Sequence, residues 1–166
     1  GSIEELWRTY QELPQWKRLG ERTKKDYAVY SIKLLEVMGK VSARLIRPAD
    51  IARYLRVERA DAPVRGNREV ALLSNLMTVA VERGDIDVNP CKQVKRNLER
   101  PRTEAPEPED LARFIEWLGR QGAQRMVVAL MAEFASMVGS RRIEFLHLTL
   151  PQIDSGGEVI RLMRAK

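Results

Sequence analysis

With 166 residues, 44% of them hydrophobic, the chain can bury one ordinary core or two small ones, and its longest apolar run, Met126 to Ala132, is far short of the roughly 20 residues that cross a bilayer. A lone cysteine, Cys91, and a lone histidine, His147, exclude an internal disulfide and a zinc site of the usual four ligands, so no structural metal is expected. The net charge of +6 resides in the first 100 residues, which hold 20 Lys and Arg against 14 Asp and Glu, while the remainder holds 9 against 9; this suits an N-terminal module that meets a polyanion, or serves solubility alone.

Gly1-Ser2 reads as a cloning remnant and no secretory leader follows it, so a cytoplasmic location is expected. Ile3 to Leu13 is predicted to be an amphipathic helix, with Ile3, Leu6, Trp7 and Tyr10 at three-and-four spacing and Pro14 closing it. Thr23 to Asp26 fits a capping box at the start of a second helix. Tyr27, Tyr30, Leu34 and Val37 or Met38 form its buried stripe, and Gly39 supplies a left-handed stop. Pro48 begins a short third helix that turns Ile51, Tyr54 and Leu55 inward. A long helix then runs from about Val64 to Arg83, buried through Val70, Leu73, Leu76, Met77 and Ala80 and ended by Gly84. Four helices with short joints make a small bundle. Asn89-Pro90 closes it, since the residue before proline is pushed out of helical geometry, giving a first module over residues 1–91.

Lys92 to Arg102 carries five bases, Lys92, Lys95, Arg96, Arg100 and Arg102, to one acid, with Pro101, Pro106 and Pro108 in and after it. Residues 92–107 therefore read as an extended basic linker, either lying on phosphates or serving as a solvated tether. Pro108 opens a helix whose buried face is Leu111, Phe114, Ile115 and Leu118. Ala123 to Val138, apolar on nearly every side, is expected to be the central helix of a second module over residues 108–166. Leu148, Leu150 and Ile153 alternate with polar residues, Ser155-Gly156-Gly157 is a turn signal, and alternation resumes from Val159 to Arg164, so a β-hairpin is expected. A two-stranded edge implies that the module continues past Lys166. The expected fold class is mainly α, a helical bundle followed by a helical module with a short hairpin.

In the stretch MVGSRRIEFLHL, Met137 to Leu148, Gly139 ends the central helix and Ser140 can cap the next, so Arg141 and Arg142 stand at a first helical turn. Free amides and the helix dipole favour an anion there, and a guanidinium adds a planar fork that matches two phosphate oxygens. Arg141 and Glu144, three residues apart, share a face: the acid either holds the fork for a phosphate or forms a simple surface pair. Among the polar side chains of the first module, Arg65, Asn67 and Arg68 at the start of the long helix are placed nearest a DNA backbone. Thr23, Lys24 and Lys25 come second, and both groups have the alternative of a solvated helix end. Lys92, Lys95 and Arg96 of the linker complete the candidate DNA-binding set.

The run VGSRRIEFLHLTLPQID resembles the first catalytic box of the tyrosine recombinases, the phage integrase family, whose usual form is TGLRxxExLxLxWxDID. Gly139, Arg141, Glu144, Leu146, Leu148, Ile153 and Asp154 match in register, while Val138, Ser140, Leu150 and Gln152 depart from it. RGNREVALLSNLMTVAVERGDIDVNP resembles the last part of the same family's core-binding domain, and ERTKKDYAVYSIKLLEVMG its capped early helix, so the resemblance covers almost the whole chain in the family's order. It implies a SAM-like four-helix core-binding bundle followed by the beginning of a catalytic domain, the two closing on duplex DNA. Arg141 would bind the scissile phosphate, with Glu144 as its supporting acid. Lys166 falls where the family's proton-donating lysine is expected, with Arg164 as a competitor. The family cleaves through a 3′-phosphotyrosine without metal or nucleotide, which implies no cofactor, but its His-x-x-Arg box and nucleophilic tyrosine have no counterpart here. Tyr10, Tyr27, Tyr30 and Tyr54 all precede Arg141 and read as core or surface residues. The chain is thus expected to be a DNA-binding, non-cleaving N-terminal fragment of a nucleoid-associated recombinase, monomeric in solution, its parent tetrameric on paired sites. Other readings are a catalytically inactive DNA-binding regulator and a helical protein-interaction module.

Overall fold

Ser2 caps the first helix, α1 (Ile3–Glu12): its side chain accepts from the amide of Glu5, and the Glu5 carboxylate accepts from the amide of Ser2 at 2.8 Å. The next two orphan amides of that first turn find carbonyls elsewhere, Ile3 N–H donating to Val41 O and Glu4 N–H to Gly39 O, each at 3.0 Å. All four free donors of the turn are thereby satisfied, which fixes α1 against the end of a later helix. The chain, seen as a computed structural model, forms two compact units, Gly1–Pro101 and Arg102–Lys166. The residues described are 1–101, 104–139, 141, 144, 146–153, 156, 157 and 159–161.

The first unit is helical throughout. Pro14 closes α1 as expected and also opens a one-turn helix, α2 (Pro14–Lys17), because proline suits a first helical position. The helix α3 (Glu21–Met38) begins two residues before the expected cap. Gly20 takes the cap position and Thr23 lies inside the first turn, so the Thr23 capping box does not form. The earlier start adds backbone bonds such as Lys24 N–H to Gly20 O at 3.1 Å, and Asp26 turns to Arg22 instead, at 3.4 Å. Gly39 keeps right-handed geometry, with φ −55° and ψ −40°, contrary to the expected left-handed stop. Glycine is needed there for closeness, since a Cβ would fall 2.4 Å from the carbonyl oxygen of Leu35.

Two further helices complete the unit, α4 (Pro48–Arg53), which runs on into a π-helical turn at Tyr54–Glu58, and α5 (Pro63–Glu82). The core gathers Ile3, Leu6, Leu34, Ile51 and Leu55 around the stripe Val70, Leu73, Leu76, Met77 and Ala80 of α5, all of them fully buried or nearly so. Burying a valine, leucine or methionine stabilises by roughly 1.5–3 kcal/mol before entropy is counted, so the four in this stripe commit α5 to the centre. Trp7, Tyr10, Trp16 and Tyr27 pack edge to face and tilted, with centroids 5.3 to 6.5 Å apart, the spacing aromatic rings prefer. Gly84, at φ +73°, is the left-handed residue that ends α5.

One charged side chain lies inside this core. Glu69 is 1% exposed, accepts from the Tyr54 hydroxyl at 2.8 Å and pairs with the Arg59 guanidinium at 2.8–2.9 Å. Burial and the Glu69 carboxylate together push the Tyr54 hydroxyl well above the ordinary phenol range.

The unit does not stop at residue 91. Pro90–Gln93 forms a 3-10 turn capped by Asn89, Cys91 is buried, and residues up to Pro101 belong to the same body. Roughly the first ten residues of the expected linker are thus fastened to the bundle.

In the second unit, α6 (Pro108–Gly119) packs on α7 (Ala123–Val138), and Gly139 at φ +62° ends α7 as expected. Of the expected buried face of α6 only Leu118 is fully covered; Leu111 and Ile115 are half-buried, and Phe114 stands exposed with its ring stacked on Trp117. Ala129 is the buried residue of α7, and Val127, Leu130 and Met137 are exposed. The expected hairpin reduces, among the described residues, to one antiparallel bridge, Ile153 with Ile160, supported by Arg161 N–H donating to Gln152 O at 2.8 Å. A 3-10 turn at Leu150–Gln152 precedes it. The described residues are mainly helical and contain no sheet, and none of their helices is long and apolar enough to cross a membrane.

Candidate nucleic-acid interface

The opening turns of α5 sort their side chains by helical position. Arg65 and Arg68 are exposed, whereas Asn67 and Glu69 face the core side. Arg65 lies with its guanidinium carbon 5.8 Å from the centroid of the Tyr30 ring on α3, within reach of a cation–π attraction. Arg68 instead reaches Glu99 at 2.9 Å, the single acid of the basic stretch after the bundle.

Asn67 anchors that stretch. Its side-chain oxygen accepts from the amide of Asn97 at 2.9 Å, and its nitrogen donates to the Asn97 carbonyl and to Glu99 Oε1, both at 2.9 Å. Arg96 lies alongside and donates to the carbonyls of Asn67 and Val70 at 3.1 and 3.2 Å. Burial lowers its pKa from the ordinary guanidinium value, against a smaller opposing effect from the Cys91 thiol, and the group stays protonated at neutral pH. Asn67 and Arg96, both expected near DNA, are therefore occupied in fastening residues 96–99 to α5. Lys92 and Lys95 are exposed.

At the start of α3, Lys24 is tied to Glu21 at 2.8 Å, and that lysine holds the Glu21 carboxyl below the usual range. Thr23 is half-buried and Lys25 exposed. Tyr27 meets Asn75 while Tyr30 meets Arg65, so α3 and α5 run in opposite directions. The start of α3 thus lies beside the later half of α5, and the two groups of bases expected on DNA occupy opposite ends of the helix pair. The structure brings Arg96 and Glu99 to the start of α5, at Asn67, Val70 and Arg68, while Asn89, three residues before Lys92, is bonded to Ser74 and Thr78 in its later half, the half beside Lys24 and Lys25.

In the second unit, the Arg141 side chain is 82% exposed and that of Glu144 only 13%. The carboxylate acts mainly on the backbone: Glu144 Oε2 accepts from the amide of Arg141 at 2.9 Å, whereas the nearest guanidinium contact is 4.0 Å. This is half of a capping box, with Arg141 at the cap position and Glu144 three residues on. Two groups that the spacing suggested would pair side chain to side chain instead leave the fork open to solvent. Ser140, the expected cap, along with Arg142, Asp154, Arg164 and Lys166, lies outside the described residues.

Sequence reading passed over Glu99 and Asn97. The available signal was a lone acid in a run of bases, which composition alone could not attach to a residue some thirty positions upstream. No protein-family model matches the sequence, and neither the curated proteins nor the solved structures include a significant match.

Proposed function

We propose that the chain binds duplex DNA through the first unit and is part of a tyrosine recombinase in which Arg141 receives the scissile phosphate. The observation that carries the reading is the match of Gly139, Arg141, Glu144, Leu146, Leu148, Ile153 and Asp154 to one catalytic box, joined to an Arg141 side chain that is 82% exposed and 4.0 Å from the Glu144 carboxylate. A phosphorane gathers negative charge as it forms, and a guanidinium held only loosely by its neighbouring carboxylate can answer that charge. Glu144 would fix the backbone from which Arg141 projects. Arg65, Arg68, Lys92 and Lys95 would meet the backbone of the duplex, positioning it without reading its sequence. No tyrosine follows Arg141 within these residues, so binding without strand cleavage is the activity proposed for the chain itself.

Fluorescence anisotropy with a labelled mixed-sequence duplex tests the binding. A protein that neutralises several phosphates loses affinity steeply between about 50 and 200 mM salt, with a log–log slope near the number of phosphates contacted. No binding at low ionic strength would overturn the reading. Binding with a flat salt dependence would remove the role given to the basic side chains.

A further inference from the structure

Resting on the DNA reading, we propose that the segment Asn97 to Glu99 is an internal competitor for DNA, a strap in which the Glu99 carboxylate occupies the guanidinium of Arg68 until a phosphate displaces it. Glu99 is the one acid between Lys92 and Arg102, and it sits 2.9 Å from Arg68, an exposed arginine in the second turn of α5. The contact is a built one. Asn67, itself buried, grips both faces of the peptide at Asn97 and donates to Glu99 Oε1 at 2.9 Å. Asn97 in turn donates to the carbonyl of Pro63 at 3.2 Å, beside the start of the same helix. The carboxylate is thereby delivered to Arg68 by a fixed backbone.

A carboxylate and a phosphate ask for the same fork of N–H donors, so the two cannot share it. The ion pair is more than one-third exposed on both sides, which places it in the weak class that a phosphate can replace. Release need not unfold the strap, because Arg96 and Asn67 hold residues 96 and 97 independently of Glu99. Arg65 differs in this respect, its charge meeting the Tyr30 ring and not a carboxylate.

The test is a thermodynamic cycle on duplex affinity with four proteins: wild type, Glu99→Gln, Arg68→Ala and the double variant. Glu99→Gln keeps an oxygen for Asn67 and removes the charge, and thermal melts check that the fold is retained. The strap requires Glu99→Gln to tighten binding by about two- to fivefold and the double variant to bind no better than Arg68→Ala. An equal gain in both backgrounds would mean that Glu99 acts by general repulsion, and weaker binding in Glu99→Gln would make it a positioning acid; either result overturns the strap while leaving the DNA reading intact. If neither wild type nor Glu99→Gln binds duplex, both proposals fall together.

Discussion

Asn67 and Asn97 exchange two hydrogen bonds across thirty residues of sequence, each 2.9 Å long, with one amide side chain satisfying both the N–H and the C=O of a single peptide residue. A side chain that matches a backbone donor and acceptor at once is a local substitute for strand pairing, and it turns what composition presents as a tether into part of the domain. Truncation to Asn67→Ala would leave both groups without partners in a half-dry site. The expected loss is about 2–3 kcal/mol, seen as a lower urea midpoint with an unchanged slope. A change below about 0.5 kcal/mol would mean that Arg96, Arg68 and the Asn97 side chain hold the segment without Asn67.

Glu69 sets a second stability prediction. Removing one partner of a buried ion pair strands the other, so Glu69→Ala should cost about 3–5 kcal/mol, while Tyr54→Phe, which deletes one bond to the same carboxylate, should cost about 1.5–3 kcal/mol. Replacing the pair together, Arg59→Met with Glu69→Leu, should recover most of the larger loss. Equal losses in the single and paired variants would show that the packing around Gly66, where a Cβ would meet Arg59 at 3.0 Å, matters more than the charges.

Cys91 should be chemically silent in the native protein. Its side chain is 3% exposed, and burial pushes the thiol up to about 12 although Arg96 pulls the other way. Relative to an unperturbed thiol this lowers the reactive thiolate fraction at pH 8 by roughly a thousandfold. Ellman's reagent should therefore react at the rate of local opening and become fast only beyond the urea midpoint. Rapid stoichiometric reaction in native buffer would contradict the burial.

The helices were the legible part of this sequence, and the reasons lie in particular residues. Val70, Leu73, Leu76, Met77 and Ala80 repeat at helical spacing and are fully buried, and Pro48, Pro63 and Pro108 each stand at a first helical position, where a missing N–H costs nothing. Local signals failed where tertiary contacts competed with them. Thr23 had the residue type for a cap, but the helix gained backbone bonds by starting at Glu21. Gly39 suggested a left-handed stop, and the requirement there proved to be close approach to Leu35. At the candidate interface, the exposure of Arg65 and Arg68 was readable from charge and position, whereas the attachment of Asn97 and Glu99 to α5 spans some thirty residues and leaves no periodic trace. The relation of Arg141 to Glu144 was legible as a spacing of three, but spacing does not distinguish a bond to the guanidinium from a bond to the amide.

That distinction gives a prediction of its own. Because the Arg141 side chain is open to solvent and Glu144 caps its backbone, Arg141→Ala should change stability by less than about 0.5 kcal/mol, whereas Glu144→Ala should cost about 1 kcal/mol. Arg141→Ala should also leave duplex affinity within a few-fold, and in any longer form that carries a nucleophilic tyrosine it should abolish cleavage, since its contact matters most as charge develops. A collapse of folding in Arg141→Ala would make the arginine structural.

The most direct test of the central claim is a titration of isotope-labelled protein with a mixed-sequence duplex, followed by amide chemical shifts. The side chains proposed to meet the phosphates require the largest changes at Arg65, Arg68, Lys92 and Lys95, with smaller ones at Lys24 and Lys25 on the far end of α3. Changes confined to the exposed apolar residues of α7, or none at all, would contradict it.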